Sequence, residues 1–126
     1  MADVRHVSDV LGQLDPAHRW AAISEIYTED CISLEADAQC SGLDVIARRA
    51  EGSLELAPGW VLCAAGPAEA IHDIARVRWQ FGPLGSTPAI AAMDVALFHG
   101  RKIRKLYTFV EHHSIQALLD RFPADR

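Results

Sequence analysis

The sequence predicts an α+β domain: a curved antiparallel sheet wrapped around N-terminal helices in the shape of a cone, with an internal pocket. Three observations carry this. Helical apolar spacing marks three segments in the first half of the chain, ahead of the strands. From Trp60 to Glu111, period-two runs follow one another, separated by Gly- and Pro-containing turns. Helices gathered before consecutive strands belong on one face of a sheet, and a sheet that curves over them leaves a cavity. At 126 residues the chain makes a single domain, 1–126, with one core.

Residues 3–13 (DVRHVSDVLGQ) space Val4, Val7, Val10 and Leu11 as a short amphipathic helix, which Leu14-Asp15-Pro16 breaks. Asp15 suits the cap of a second helix with Pro16 at its first position. That helix, Pro16 to Tyr27, sets Trp20, Ile23, Ile26 and Tyr27 along one stripe, and Thr28-Glu29-Asp30 ends it. Cys31 to Ala36 reads as a short strand, with Ile32 and Leu34 on one side and Cys31, Ser33 and Glu35 on the other. Asp37 to Ser41 reads as a polar loop. A third helix starts at Gly42 and runs to Glu55 on Leu43, Ile46, Ala47, Ala50 and Leu54, before Pro58-Gly59 stops it.

Trp60 to Ala65 is a strand, Gly66-Pro67 a turn, and Ala68 to Phe81 one long strand. On the latter, Asp73, Ala75, Val77, Trp79 and Phe81 share the face expected to turn inward, which brings Trp79 and Asp73 to a pocket wall. Arg76 and Arg78 are expected outside. Gly82-Pro83-Leu84-Gly85-Ser86 loops back into a strand from Ile90 to Phe98, and His99-Gly100-Arg101 supplies a hairpin turn into Lys102 to Glu111. On the Ile90–Phe98 strand, Ile90, Ala92, Asp94, Ala96 and Phe98 form one face and Ala91, Met93, Val95 and Leu97 the other. Both are apolar, so one faces the body of the domain and the other is expected to meet a second subunit.

Asp94 is the exception in that strand. A carboxyl among Ile90, Ala92, Ala96 and Phe98 is costly to bury unless it is paired, hydrogen-bonded or protonated. Such surroundings should raise its pKa and favour a proton-donating form. The plain alternative is a structural aspartate bonded to backbone or to an arginine.

Composition narrows the function classes. Half of the residues are hydrophobic, 23% are charged, and the net charge of −5 argues against nucleic acid or an anionic membrane as partner. No apolar run is long enough to span a bilayer, and charges occupy the place of a signal peptide's apolar core, so a cytoplasmic protein is expected. Cys31, Cys40 and Cys63 lack C-x-x-C spacing, and the six histidines show no H-x-H or H-x-x-x-H pattern; no metal site is expected. Gly82-Pro83-Leu84-Gly85 opens a strand and not a helix, so it is not a phosphate loop.

Several stretches together resemble a known family. They are W-x-x-I-x-x-I-Y-T-E-D-C (Trp20–Cys31), S-G-x-x-x-I (Ser41–Ile46), R-V-R-W-x-x-G-P (Arg76–Pro83) and M-D-V-A-L-F-x-G-x-x-I-R-x-L-Y-T-F (Met93–Phe109). Over residues 16 to 111 the chain is similar to the SnoaL-like branch of the nuclear transport factor 2-like superfamily, whose members include polyketide cyclases, ketosteroid isomerases, dehydratases, an epoxide hydrolase and non-catalytic binding modules. The resemblance implies the cone-shaped fold and homodimers. It puts Glu35 at the general base of the isomerases and Asp94 at their protonated oxyanion-hole aspartate, and Asp94 again at the proton-transfer acid of the cyclases. Residues 3–14 hold no counterpart of the isomerase tyrosine, and the cyclase histidine would fall near Trp79 or Gln80.

The expected function is then acid–base chemistry next to a carbonyl, without a cofactor, on a hydrophobic small molecule: isomerisation, cyclisation or dehydration. Asp94 and Glu35 would be catalytic, Trp20, Tyr27, Trp79 and Asp73 would touch substrate, and Asp37 is the substitute base if the loop register slips. The rival is a binding or dimerisation module using the same cavity. An epoxide hydrolase would need an inward Asp-Arg-Asp set, against which the outward arginines count.

Overall fold

The structure is a computed structural model that describes residues 15–36, 38–44, 46–48 and 58–113. The predicted helix over 3–13, Asp37, and Val45 and residues 49–55 of the predicted third helix lie outside these; Leu43, Asp44 and Ile46 to Arg48 are helical as expected.

Helix α1, Pro16–Ile26, begins as its sequence dictates. Extended Asp15 accepts the Ala17 N–H on Oδ1 at 3.2 Å, and Pro16 takes a first-turn position where no N–H is needed. The buried stripe is Arg19, Ala22, Ile23 and Ile26, a regular i, i+3, i+4, i+7 set. This corrects the expected stripe. Trp20 lies one step round the helix and is 45% exposed, while the arginine beside it is buried. Its bulk made it look central, but the phase of the helix decides which residue faces the sheet.

Tyr27 caps α1 and at once opens β1, Tyr27–Leu34. The polar run Thr28-Glu29-Asp30, expected to end the helix, is therefore strand. It occupies an irregularity where pairing with β7 skips from Tyr27–Ile103 to Ile32–Lys105, so it is carried as a bulge between paired ends of the strand. The expected polar loop contains a second short strand, β2, Gln39–Ser41, folded back on β1 through Ile32–Ser41, Ser33–Cys40 and Leu34–Gln39.

The remaining strands are β3, Trp60–Ala64; β4, Glu69–Ile71; β5, Ile74–Pro83; β6, Ile90–His99; and β7, Lys102–His113. The long strand expected from Ala68 to Phe81 is thus a hairpin. It folds at His72-Asp73, where His72 adopts φ 52°, and Ile71 pairs with Ile74. Sheet order is β2-β1-β7-β6-β5-β3, with β4 also on β5, and the sheet is curved and unclosed. Its described pairings are antiparallel except β1 on β7, which are parallel.

One face of this sheet is dry. Ala75, Val77 and Phe81 of β5, Ala92, Asp94 and Ala96 of β6, and Ile103 and Leu106 of β7 are buried. Ala96, Ile103 and Leu106 belong to one apolar cluster, and Val77 and Phe81 to another. The first joins Ala22, Ile23 and Ile26 of α1 to Tyr27, Cys31, Ile46, Ala96, Ile103 and Leu106; the second joins Leu62, Val77 and Phe81, with Trp60 and Trp79 against them. Trp60 meets Phe81 edge-on at 5.3 Å between ring centres. On the other face Arg76 and Arg78 are exposed, as expected, and Met93, Val95 and Leu97 are half-buried. Arg78 bonds Glu111 at 2.9 and 3.3 Å, reaching over β6, which separates their strands.

Gly82 is buried where β5 turns toward β6, and Ala89 N–H donates to the Phe81 carbonyl at 3.0 Å. A Cβ there would stand 2.8 Å from the Ala89 nitrogen and 3.0 Å from Pro88 Cα, both backbone atoms that cannot swing away. Gly82→Ala should lower stability by about 1–3 kcal/mol in denaturant unfolding. Gly85→Ala, with open space about its Cβ, should cost only the strain of φ 75°.

Candidate functional site

Asp94 is 2% exposed and sits at the seam between the two apolar clusters. Ala96, next on its face, belongs to the first cluster; Val77, directly across on β5, belongs to the second. Across on β7 stands Thr108, whose hydroxyl donates to Asp94 Oδ1 at 2.7 Å. The register sets out the surrounding surface in rows. Trp79, Ala92 and Val110 form one; Val77, Asp94 and Thr108 the next; Ala75, Ala96 and Leu106 the third, which Ser33 of β1 extends. A hydrogen-bonded acid thus stands in an apolar floor, where a partner is worth most.

The other predicted site residues fall at different depths. Tyr27 is fully buried in the first cluster, beside the floor. Trp79 packs half-buried against the second cluster, one row from Asp94, and no acceptor among the described residues reaches its buried Nε1. Glu35 is the next residue, by alternation, after Cys31 and Ser33, both buried on the Asp94 side. It stands just beyond the end of β1 and is exposed, with its N–H donating to the Ala38 carbonyl at 2.8 Å in the turn to β2. Trp20 lies on the exposed side of α1, and Asp73 is exposed in the β4–β5 turn. The alternation that grouped Asp73 with Trp79 ends at that turn, so Asp73 does not join the Asp94 floor.

Thr108, Arg19 and Ser33 were not anticipated. Arg19 and Ser33 are each 3% exposed. Counting back from the hairpin pair His99–Lys102 would set Asp94 opposite Tyr107; the irregularity at Leu97–Phe98 moves Thr108 there instead. Among the described residues no group of three or more His, Cys, Asp or Glu could hold a metal ion, and no helix is long and apolar enough to cross a membrane. Two shallow grooves formed by described residues, of about 100 and 190 Å³, are lined by Arg76, Arg78 and Met93 and by Cys63, Gln80 and Leu84 respectively.

Known structures define the class of fold. The chain has the architecture of SnoaL-like, nuclear transport factor 2-like and ketosteroid isomerase-like proteins. It is similar to a candidate isomerase of the SnoaL-like family from Agrobacterium tumefaciens, with TM-score 0.75 and 16% identity over 88% of this chain and 92% of that one. A candidate SnoaL-like polyketide cyclase from Jannaschia sp. CCS1 superposes with TM-score 0.68 at 12% identity, covering 98% and 92%. A protein of ketosteroid isomerase-like fold from Catenulispora acidiphila, solved with trimethylamine, gives 0.65 at 14%, covering 98% and 93%. No family profile matches the sequence, and no curated protein matches it.

Cys31, 1% exposed, is a titratable group buried in the first cluster. Burial first, then the negative charge of Asp30, pushes its thiol up to about 12, so it stays neutral and unreactive. Thiol-reactive dye should label exposed Cys63 in the native protein and reach Cys31 only on unfolding. Above the ordinary pKa of 9.0 the unfolded chain loses this proton while the folded one keeps it, so stability should fall as pH rises from 9.0 to about 12. Cys31→Ala should flatten that part of an unfolding-versus-pH curve.

Proposed function

We propose that the protein is a cofactor-independent acid–base enzyme acting on a hydrophobic, carbonyl-bearing small molecule, of isomerase, cyclase or dehydratase type. The observation that carries this is Asp94: a 2%-exposed carboxyl, held by a neighbouring hydroxyl, in the middle of an apolar floor. An acid in such a place can hold a proton and present it to the oxygen of a developing enolate, where charge forms away from water. Glu35, at the rim of the same side of the sheet, takes the carbon-bound proton. Tyr27, Val77, Trp79, Leu106 and Val110 form the walls. Trp20 and Asp73, both exposed, are left outside the proposed site. The names of the structural neighbours, an isomerase and polyketide cyclases, support the reaction class, and the trimethylamine complex supports a cavity that takes small molecules.

The second reading is a binding module without turnover, and the exposure of Glu35 favours it. Wild type and two variants separate the two. With a β,γ-unsaturated cyclohexenone as probe, wild type should shift the double bond into conjugation, seen as a rise in ultraviolet absorbance. Asp94→Asn and Glu35→Gln should each lower the rate by about a hundredfold or more while still quenching tryptophan fluorescence on ligand binding. Trp79→Ala should weaken ligand binding by roughly tenfold through lost stacking and contact area. Binding by wild type with no turnover of any enone or ketone leaves the module reading in place.

The same proposal includes a homodimer through the other face of the sheet, in the cytoplasm. Met93, Val95, Leu97 and Tyr107 lie half-buried there beside Phe109, 59% exposed, an apolar strip that a second copy would cover. The free thiols Cys31, Cys40 and Cys63 suit a reducing compartment. Light scattering at micromolar concentration should return twice the chain mass; a monomer mass removes the dimer.

A further inference from the structure

We infer that two copies of the chain meet about a two-fold axis running along β6, so that Tyr107 and Phe109 of each copy stand on Arg76 and Arg78 of the other. This rests on the homodimer reading above and adds which residues face one another. Pairing register sets the outer face out in rows across β5, β6 and β7. Ile74, Leu97 and Lys105 form one; Arg76, Val95 and Tyr107 the next; Arg78, Met93 and Phe109 the third. The face is therefore lopsided. Its middle strand is apolar, its β5 side carries the arginines, and its β7 side carries the aromatic rings.

A two-fold axis that packs a sheet face on its own copy lies in the plane of contact and exchanges the two sides of that face. Set along β6, it lays Met93, Val95 and Leu97 over their own counterparts, apolar on apolar. It also brings each arginine against a ring, where guanidinium and aromatic face attract. Other axes bring like charges together. Along β5, Arg76 and Arg78 would each meet their own counterparts; along β7, Lys105 would. An axis across the strands at the Val95 or Met93 row again sets an arginine on itself. The arginines are already oriented for this contact, Arg76 by Glu69 at 2.8 Å and Arg78 by Glu111 at 2.9 Å. Beside Arg78 lies the groove of about 100 Å³, between Gly66-Pro67 and Met93. It is well short of the roughly 300–1,000 Å³ of a small-molecule pocket and suits one inserted side chain. Phe109, 59% exposed, is the ring that the β6 axis brings to it.

The test gives position 109 each sign of charge in turn. Sedimentation over a dilution series follows the dissociation constant, and circular dichroism shows that each variant is folded. Phe109→Glu sets a carboxylate by the other copy's Arg78 and should keep the dimer within about threefold of wild type. Phe109→Lys sets two cations together and should weaken it about tenfold or more. Adding Arg78→Glu to Phe109→Lys should restore it. Equal effects of glutamate and lysine, or glutamate the more damaging, overturn the inference, since Phe109 then does not face an arginine. The wild-type dimer still stands in that case and only the axis is wrong. A wild-type chain that stays monomeric at every concentration removes the homodimer reading and this inference with it. Should Phe109→Lys not fold, Arg78→Glu and Arg78→Lys read the same contact from the groove side. Glutamate should weaken the dimer about tenfold and lysine much less; equal behaviour overturns the inference.

Discussion

The structure depends on keeping one carboxyl dry. Asp94 occupies the middle of β6, the strand that joins the two apolar clusters, and its own neighbours along that strand are alanines. Small side chains on either side let the helix and the flanking strands close over the floor. They also leave the acid with nothing polar on its own strand, so what satisfies it must come from elsewhere. Thr108 comes from β7, and its arrival depends on a one-residue shift in the β6–β7 ladder. Pairing register, core packing and the chemistry of the site are therefore a single constraint. A slip of β7 by one residue would change all three.

Much of this was readable in the residues. Asp15-Pro16 specified the start of α1, the alternation from Ile90 to Phe98 specified which side of β6 is inward, and Gly100 marked the tight turn that follows. These features depend on local chemistry, which a sequence displays directly. What stayed hidden depends on partners distant in the chain. Gln39–Ser41 has no apolar pattern and is a strand because β1 offers it a ladder. Ala68–Phe81 alternates as one strand would, yet His72 takes φ 52° and folds it in two. The position of Asp94 was legible for the same local reason. Its partner was not, since an irregular ladder defeats counting from the turn.

The inner and outer faces of β5 divide the work of the sheet. Ala75, Val77 and Phe81 supply area to the interior, and Arg76 and Arg78 keep the reverse side charged. Each arginine is tied to a glutamate, Arg76 to Glu69 at 2.8 Å and Arg78 to Glu111 at 2.9 Å. More than half of each arginine side chain is exposed, so these pairs add little stability. Their effect is on shape: they border the strip of Met93, Val95 and Leu97 with fixed charge, which limits how another surface can approach it.

The fold at His72 has a further consequence at the rim of the sheet. Two short strands, β3 and β4, share one side of β5, with a jog between them where Ala65 N–H reaches the Arg78 carbonyl at 2.8 Å and Gly66 takes φ 138°. A single straight strand in their place would end the sheet in a long flat row of free donors and acceptors, a template on which other chains assemble into fibrils. The broken rim offers only three- and five-residue lengths set out of line. An irregularity that looks like a flaw in the ladder thereby works against amyloid-like growth at that side of the molecule.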